Sequence, residues 1–137
     1  MGRRAPRGRR RLRRVRVLLV EDDADTVEAL RLLLEFEGFE ITHAGTAREA
    51  RAALAAPAVE FGAVLLDLSL PDKSGLELVE EIEALGLRPR AVVVMSAAPE
   101  SLLQAAARRL NAVGYVRKPF ETGVLLGMLH RASAGAR

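Results

Sequence analysis

Four short apolar runs in this chain each stop at a polar or charged side chain, and that pattern leaves few folds open. Val17-Leu18-Leu19-Val20 runs into Glu21-Asp22-Asp23, and Ala63-Val64-Leu65-Leu66 stops at Asp67. Ala91-Val92-Val93-Val94-Met95 stops at Ser96, and Val113-Gly114-Tyr115-Val116-Arg117 stops at Lys118, with Pro119 next. Short unbroken apolar runs are what parallel strands buried on both faces look like. In an open parallel sheet the carboxyl ends of the strands share one edge, and ligands bind there. Carboxylates, a hydroxyl and an ammonium would therefore meet at that edge. Such a set can hold Mg²⁺ and a phosphoryl group around one carboxylate nucleophile.

Between the runs the apolar spacing turns helical. Val27, Leu30, Leu33, Leu34 and Phe36 predict a helix over 24–37, with Gly38 as its C-cap. A short alternating strand is expected over 39–43. Thr46 with Glu49 three residues on has the pattern of a capping box, and the helix it opens should end near Pro57. Pro71 and Gly75 punctuate a loop over 69–74. Leu76, Val79 and Ile82 share one face of a helix reaching about Leu85. Pro99 suits the first turn of a helix that continues to about Leu110, and a last helix is expected over 121–132. Strands alternating with helices imply right-handed crossovers, hence an α/β doubly wound five-stranded parallel sheet with helices on both faces. The flavodoxin-like strand order 2-1-3-4-5 fits that layout.

Charge divides the chain in two. Nine of its 21 basic residues fall in the first 16 positions, where there is no acid. From Val17 onward 12 basic residues face 18 acidic ones, so an acidic body of net charge −6 carries a basic arm. Residues 1–14 are expected to be a disordered Arg-rich arm, 15–132 one domain, and 133–137 a short tail. A solvated tail is the bland account of the arm, and contact with nucleic acid the sharp one. The arm lacks the interleaved aromatics that stack on bases. There is no cysteine, so disulfides and thiolate metal sites are excluded, which fits a cytoplasmic protein. The apolar runs are too short to span a bilayer.

The strings Leu18-Leu19-Val20-Glu21-Asp22-Asp23, Leu65-Leu66-Asp67-Leu68-Ser69-Leu70-Pro71 with Gly75, Val94-Met95-Ser96-Ala97, and Gly114-Tyr115-Val116-Arg117-Lys118-Pro119-Phe120 together resemble the receiver domains of two-component response regulators. The resemblance runs from about Val15 to about Ala132. It implies a stand-alone, chemotaxis-regulator-like receiver that takes a phosphoryl group onto Asp67 from a histidine kinase or histidine phosphotransfer protein. It further implies Mg²⁺ held by Glu21, Asp22, Asp67 and the backbone carbonyl of Ser69, with Asp22 the direct ligand and Glu21 acting through water. Ser96 and Lys118 would take phosphoryl oxygens. Ser96 and Tyr115 would form the switch, and Lys118-Pro119 is expected to be a cis peptide. Output is expected through the fourth helix, fifth strand and fifth helix, toward a downstream protein or a second copy. Such a protein would catalyse only its own phosphorylation and dephosphorylation. Asp23 is the less certain member of the acidic triplet, and an N-cap is its alternative role. Tyr115 reads equally as a half-buried edge-strand tyrosine. Lys73 adds charge beside the site, and His43 and His130 read as ordinary surface or capping histidines.

Two other functions compete. Asp23-Ala24-Asp25-Thr26-Val27 matches the nucleophile motif of haloacid-dehalogenase-like phosphatases, which also use Mg²⁺ and an aspartyl phosphate. The motif begins three residues past Val20, and that reading leaves Asp67 idle. A nucleic-acid binder working through the arm is the other candidate, and the acidic body opposes broad contact of that kind.

Overall fold

The computed structural model describes residues 14–135, apart from 57, 88 and 89. The expected arm therefore lies, but for Arg14, outside the described residues. Five strands alternate with five helices: β1 Arg16–Val20, α1 Ala24–Phe36, β2 Glu40–Ala44, α2 Ala47–Ala55, β3 Ala63–Asp67, α3 Gly75–Ala84, β4 Val92–Ser96, α4 Glu100–Leu110, β5 Gly114–Arg117 and α5 Thr122–Gly135. All strand pairs are parallel and the order is β2-β1-β3-β4-β5, the doubly wound arrangement expected.

The two-residue period of the strands sorts their side chains between two cores. Leu18, Val20, Val64, Leu66, Val92 and Val94 face α2, α3 and α4. Val17, Leu19, Leu65, Val93, Met95 and Val116 face α1 and α5. Every residue of β3 and β4 is buried. That is why those runs are apolar throughout and why a polar residue at their ends stands out. Each fully buried Leu or Val contributes about 1.5–3 kcal/mol, and the two layers fix the sheet from both sides.

Local chemistry sets the helix ends, with several departures from expectation. Thr46 does cap α2 by accepting the Glu49 N–H at 3.0 Å. Glu49, however, takes the Gly45 N–H at 2.7 Å, so the reciprocal box is displaced by one residue. A full capping box forms instead at α3, between Ser74 and Glu77. Pro99 sits at the N-cap of α4, one place before the first turn. Gly38 adopts a φ of 97° just past α1, a conformation that favours glycine. On α3 Leu78 joins Val79 and Ile82 in the core, while Leu76 is half-buried. The last helix runs three residues past Ala132, where the Ser133 hydroxyl donates to the Leu129 carbonyl at 2.6 Å. Residues 133–135 are thus helical, where a tail was expected.

Candidate functional site

The polar ends of β1, β3, β4 and β5 lie along one sheet edge, because the parallel register pairs Val20 with Leu66, Asp67 with Met95, and Ser96 with Arg117. Asp67 is 4% exposed and Glu21 1%, while Asp22 is open to solvent. One carboxylate oxygen from each of these three lies within 4.8 Å of the others. Glu21 is fixed by its backbone, whose N–H donates to the Ala44 carbonyl at 3.0 Å. Asp67 is fixed by the loop after it, where the Ser69 N–H donates to its Oδ1 at 2.9 Å. Gly75 opens α3 against the Asp67 backbone. A Cβ there would meet the Asp67 carbonyl oxygen at 2.7 Å and Leu68 Cα at 3.0 Å, so glycine is what lets α3 approach.

Lys118 offsets the crowding of negative charge. Its Nζ donates to Glu21 Oε1 at 2.6 Å and to Asp67 Oδ2 at 3.2 Å. Burial pushes the Glu21 carboxyl above its usual range, and the Asp67 charge adds to that; the Lys118 and Asp23 hydrogen bonds oppose it without cancelling it. For Lys118 burial is the largest single influence and acts downward. The Glu21 hydrogen bond and the two carboxylate charges together exceed it and hold the ammonium above the ordinary lysine value. The Lys118–Pro119 bond is cis.

The remaining sequence-predicted residues divide. Asp23 caps α1: its Oδ2 accepts the Thr26 N–H at 2.9 Å and the Thr26 hydroxyl at 2.7 Å, which hold its carboxyl below the usual range. Its own N–H donates to Glu21 Oε2 at 3.0 Å. Ser96 is buried at the end of β4, but its Oγ accepts the Ala98 N–H at 3.1 Å and so faces its own loop. Tyr115 is half-buried, and its hydroxyl donates to Glu100 at 2.8 Å while accepting from Gln104 at 3.1 Å. Lys73 pairs with Glu81 of α3, away from the carboxylates. His43 Nε2 donates to the Glu21 carbonyl at 2.7 Å, and His130 packs on Phe39.

Three features escape sequence reasoning. Glu21 and Lys118 are 97 residues apart, and nothing local announces their pairing. Asp72 caps the start of α2 from the loop after β3. An apolar groove of about 630 Å³ runs beside Lys118 between α1 and the start of α5, lined in part by Ala29, Leu33, Pro119 and Phe120.

The donor set fits Mg²⁺. The three carboxylates supply hard oxygens, and exposed Asp22 leaves room for the several waters that Mg²⁺ keeps. Among the described residues no helix is long and apolar enough to cross a membrane.

The family model for the response regulator receiver domain matches residues 17–130. The chain is 31% identical over 116 residues to the transcriptional regulatory protein FixJ of Bradyrhizobium diazoefficiens, covering 85% of this chain and 55% of that protein. It is 38% identical over 132 residues to the protein-glutamate methylesterase/protein-glutamine glutaminase 5 of Myxococcus xanthus, covering 89% of this chain and 37% of that protein. It thus spans about half, or less, of the length of these relatives. Among solved structures it is similar to a CheY-like response regulator receiver domain protein from Methanospirillum hungatei JF-1, with a TM-score of 0.77 and 27% identity over 90% of this chain and 96% of that one.

Proposed function

The chain belongs to the response regulator receiver domain family, and on that premise we propose that Asp67 is the phosphoacceptor of a cytoplasmic signalling module. One observation carries this assignment: a buried carboxylate at the end of β3 stands beside an ammonium and two further carboxylates. The donor is a phosphohistidine on a histidine kinase or phosphotransfer protein. An Asp67 carboxylate oxygen attacks phosphorus, the phosphorus–nitrogen bond breaks, and the imidazole leaves with the electron pair. Hydrolysis of the resulting acyl phosphate by water returns Asp67 and inorganic phosphate.

Glu21, Asp22, Asp67 and the Ser69 carbonyl would hold Mg²⁺. When bound, the ion supplies charge that neutralises phosphoryl oxygens. Lys118, already within 3.2 Å of Asp67, takes one phosphoryl oxygen as its ammonium exchanges a carboxylate for a phosphoryl partner. Ser96 takes another once its hydroxyl leaves the Ala98 N–H. The groove beside Lys118 gives a donor protein apolar area next to the reacting carboxylate. Asp23 is engaged as a helix cap, which disfavours the phosphatase reading that needs it as nucleophile.

Incubation with acetyl phosphate and Mg²⁺ should add one acid-stable, base-labile phosphoryl group, and Asp67→Asn should abolish the uptake. Labelling of Asp67→Asn at the parent rate would sink the assignment.

A further inference from the structure

We infer that Asp72 is a positioning residue for the metal-binding edge of the site, tying the loop that carries Ser69 to the amino end of α2. The inference rests on the phosphoacceptor reading, because the groups it spaces are that reading's metal ligands.

Asp72 lies in the loop between β3 and α3 and uses both carboxylate oxygens. Oδ1 accepts the Ala47 N–H at 2.8 Å and Oδ2 the Arg48 N–H at 3.0 Å. These are among the first N–H groups of α2, which have no acceptor within the helix. Thr46 takes the next one, from Glu49. The negative charge also stands at the positive end of the helix dipole. The Ala47 N–H above all, and then that of Arg48, hold the Asp72 carboxyl below the usual range.

This bridge closes a circuit around the acidic cluster. On one side α2 follows directly from β2, whose last residue, Ala44, accepts the Glu21 N–H at 3.0 Å. On the other side the loop is stitched to itself by the Ser69–Ser74 bridge and to Asp67 by the Ser69 N–H at 2.9 Å. The β1–β3 pairing joins the two sides beneath the cluster. Asp72 joins them again at the sheet edge, from Ser69 through α2 and Ala44 to Glu21. The neighbouring Lys73–Glu81 pair is half-buried and the Arg51–Glu81 pair exposed, and these solvent-reached pairs bind the same loop and helices more weakly.

Mg²⁺ demands near-ideal octahedral spacing of its ligands. Loosening the loop should therefore weaken the ion's binding while leaving the reaction at saturating Mg²⁺ nearly intact. A mere helix cap would behave otherwise, and Thr46→Ala supplies that comparison, since it weakens the same helix end without touching the loop.

The experiment measures Mg²⁺ binding by calorimetry without phosphodonor, the Mg²⁺ dependence of phosphorylation by acetyl phosphate, and the thermal midpoint in EDTA. Asp72→Ala should weaken Mg²⁺ binding and raise its half-saturation by about three- to tenfold, at or below the low end of what partners supporting metal ligands contribute. The maximal rate should stay within about twofold, because the lost interaction acts on binding. Asp72→Asn, which keeps one acceptor oxygen, should fall between. Thr46→Ala should lower the midpoint with the parent's Mg²⁺ affinity. Parent-like affinity in Asp72→Ala, with a lowered midpoint, would reduce Asp72 to a cap and overturn the inference. Should Asp72→Ala fail to fold, Asp72→Asn decides it by the same readout: weakened affinity supports the inference and parent affinity overturns it. A parent chain that binds no Mg²⁺ sinks the phosphoacceptor reading itself, and this inference with it.

Discussion

Lys118 is a half-buried cation between the Glu21 and Asp67 carboxylates. Because its folded pKa is raised, its contribution to stability is complete below the unfolded lysine value and is lost as pH rises through the folded one. The window therefore opens at about pH 10.4, the ordinary lysine value, and extends upward. Lys118→Met should lower stability at neutral pH by about 1–3 kcal/mol, the scale of leaving a buried polar partner unpaired. It should also flatten the loss of stability in that alkaline window. Denaturant melts of both proteins at neutral and alkaline pH check this, and equal alkaline slopes would show that the cluster does not hold the ammonium. At this scale the positions of Asp67, Ser96 and Lys118 were legible, because each interrupts an apolar run. What each side chain touches was not. Asp23 sits one residue from Asp22 yet turns to Thr26, since an N-cap conformation aims its carboxylate at the helix. Asp72 reads locally as a turn residue, and only the fold brings α2 within its reach.

Among the elements, α4 carries contacts that would bear on the proposed switch. Tyr115 is held outward by Glu100 and Gln104, and Arg117 Nε donates to the Ala98 carbonyl at 3.0 Å. Ser96, proposed to take a phosphoryl oxygen, is engaged with that same loop. A loop that releases Ser96 toward a phosphoryl group would free space that Tyr115 can enter. Glu100→Ala removes the acceptor of the Tyr115 hydroxyl. One exposed hydrogen bond of about 0.5–1.4 kcal/mol corresponds to a roughly two- to tenfold shift in such an equilibrium. The variant should therefore bind beryllofluoride, a phosphoryl mimic, more tightly by up to that factor, with faster amide exchange across 97–110 before binding. Unchanged affinity, together with exchange differences confined to α1 and α2, would overturn the assignment of output to α4, β5 and α5. The element pattern itself was readable from periodicity, because buried runs and helical stripes survive in any environment. Ends were less so. The Thr46–Glu49 spacing suits a box, but Glu49 takes the Gly45 N–H, and the equally spaced Ser74–Glu77 pair forms the reciprocal one.

At the scale of the whole molecule, direction matters most. All five strands point the same way, so the acidic cluster and the start of β1 stand at opposite edges of the sheet. β1 runs from Arg16 to Val20, about 16 Å at the rise of a parallel strand. The attachment point of the Arg-rich arm is thus about two Debye lengths from Glu21 at physiological salt. Deleting residues 1–13 removes seven arginines and no acid, which takes the formal charge from +3 to −4. Despite that change, phosphorylation by acetyl phosphate at physiological salt should stay within about twofold of the parent, because charge at the attachment point is screened over that distance. At about 10 mM salt, where the Debye length grows to about 30 Å, the deleted form should react more slowly, since an anionic donor loses the attraction of the arm. Rates measured across that salt range separate two cases. A difference that fades with salt leaves the arm a distant charge, and one that persists at physiological salt would place it in contact with the site.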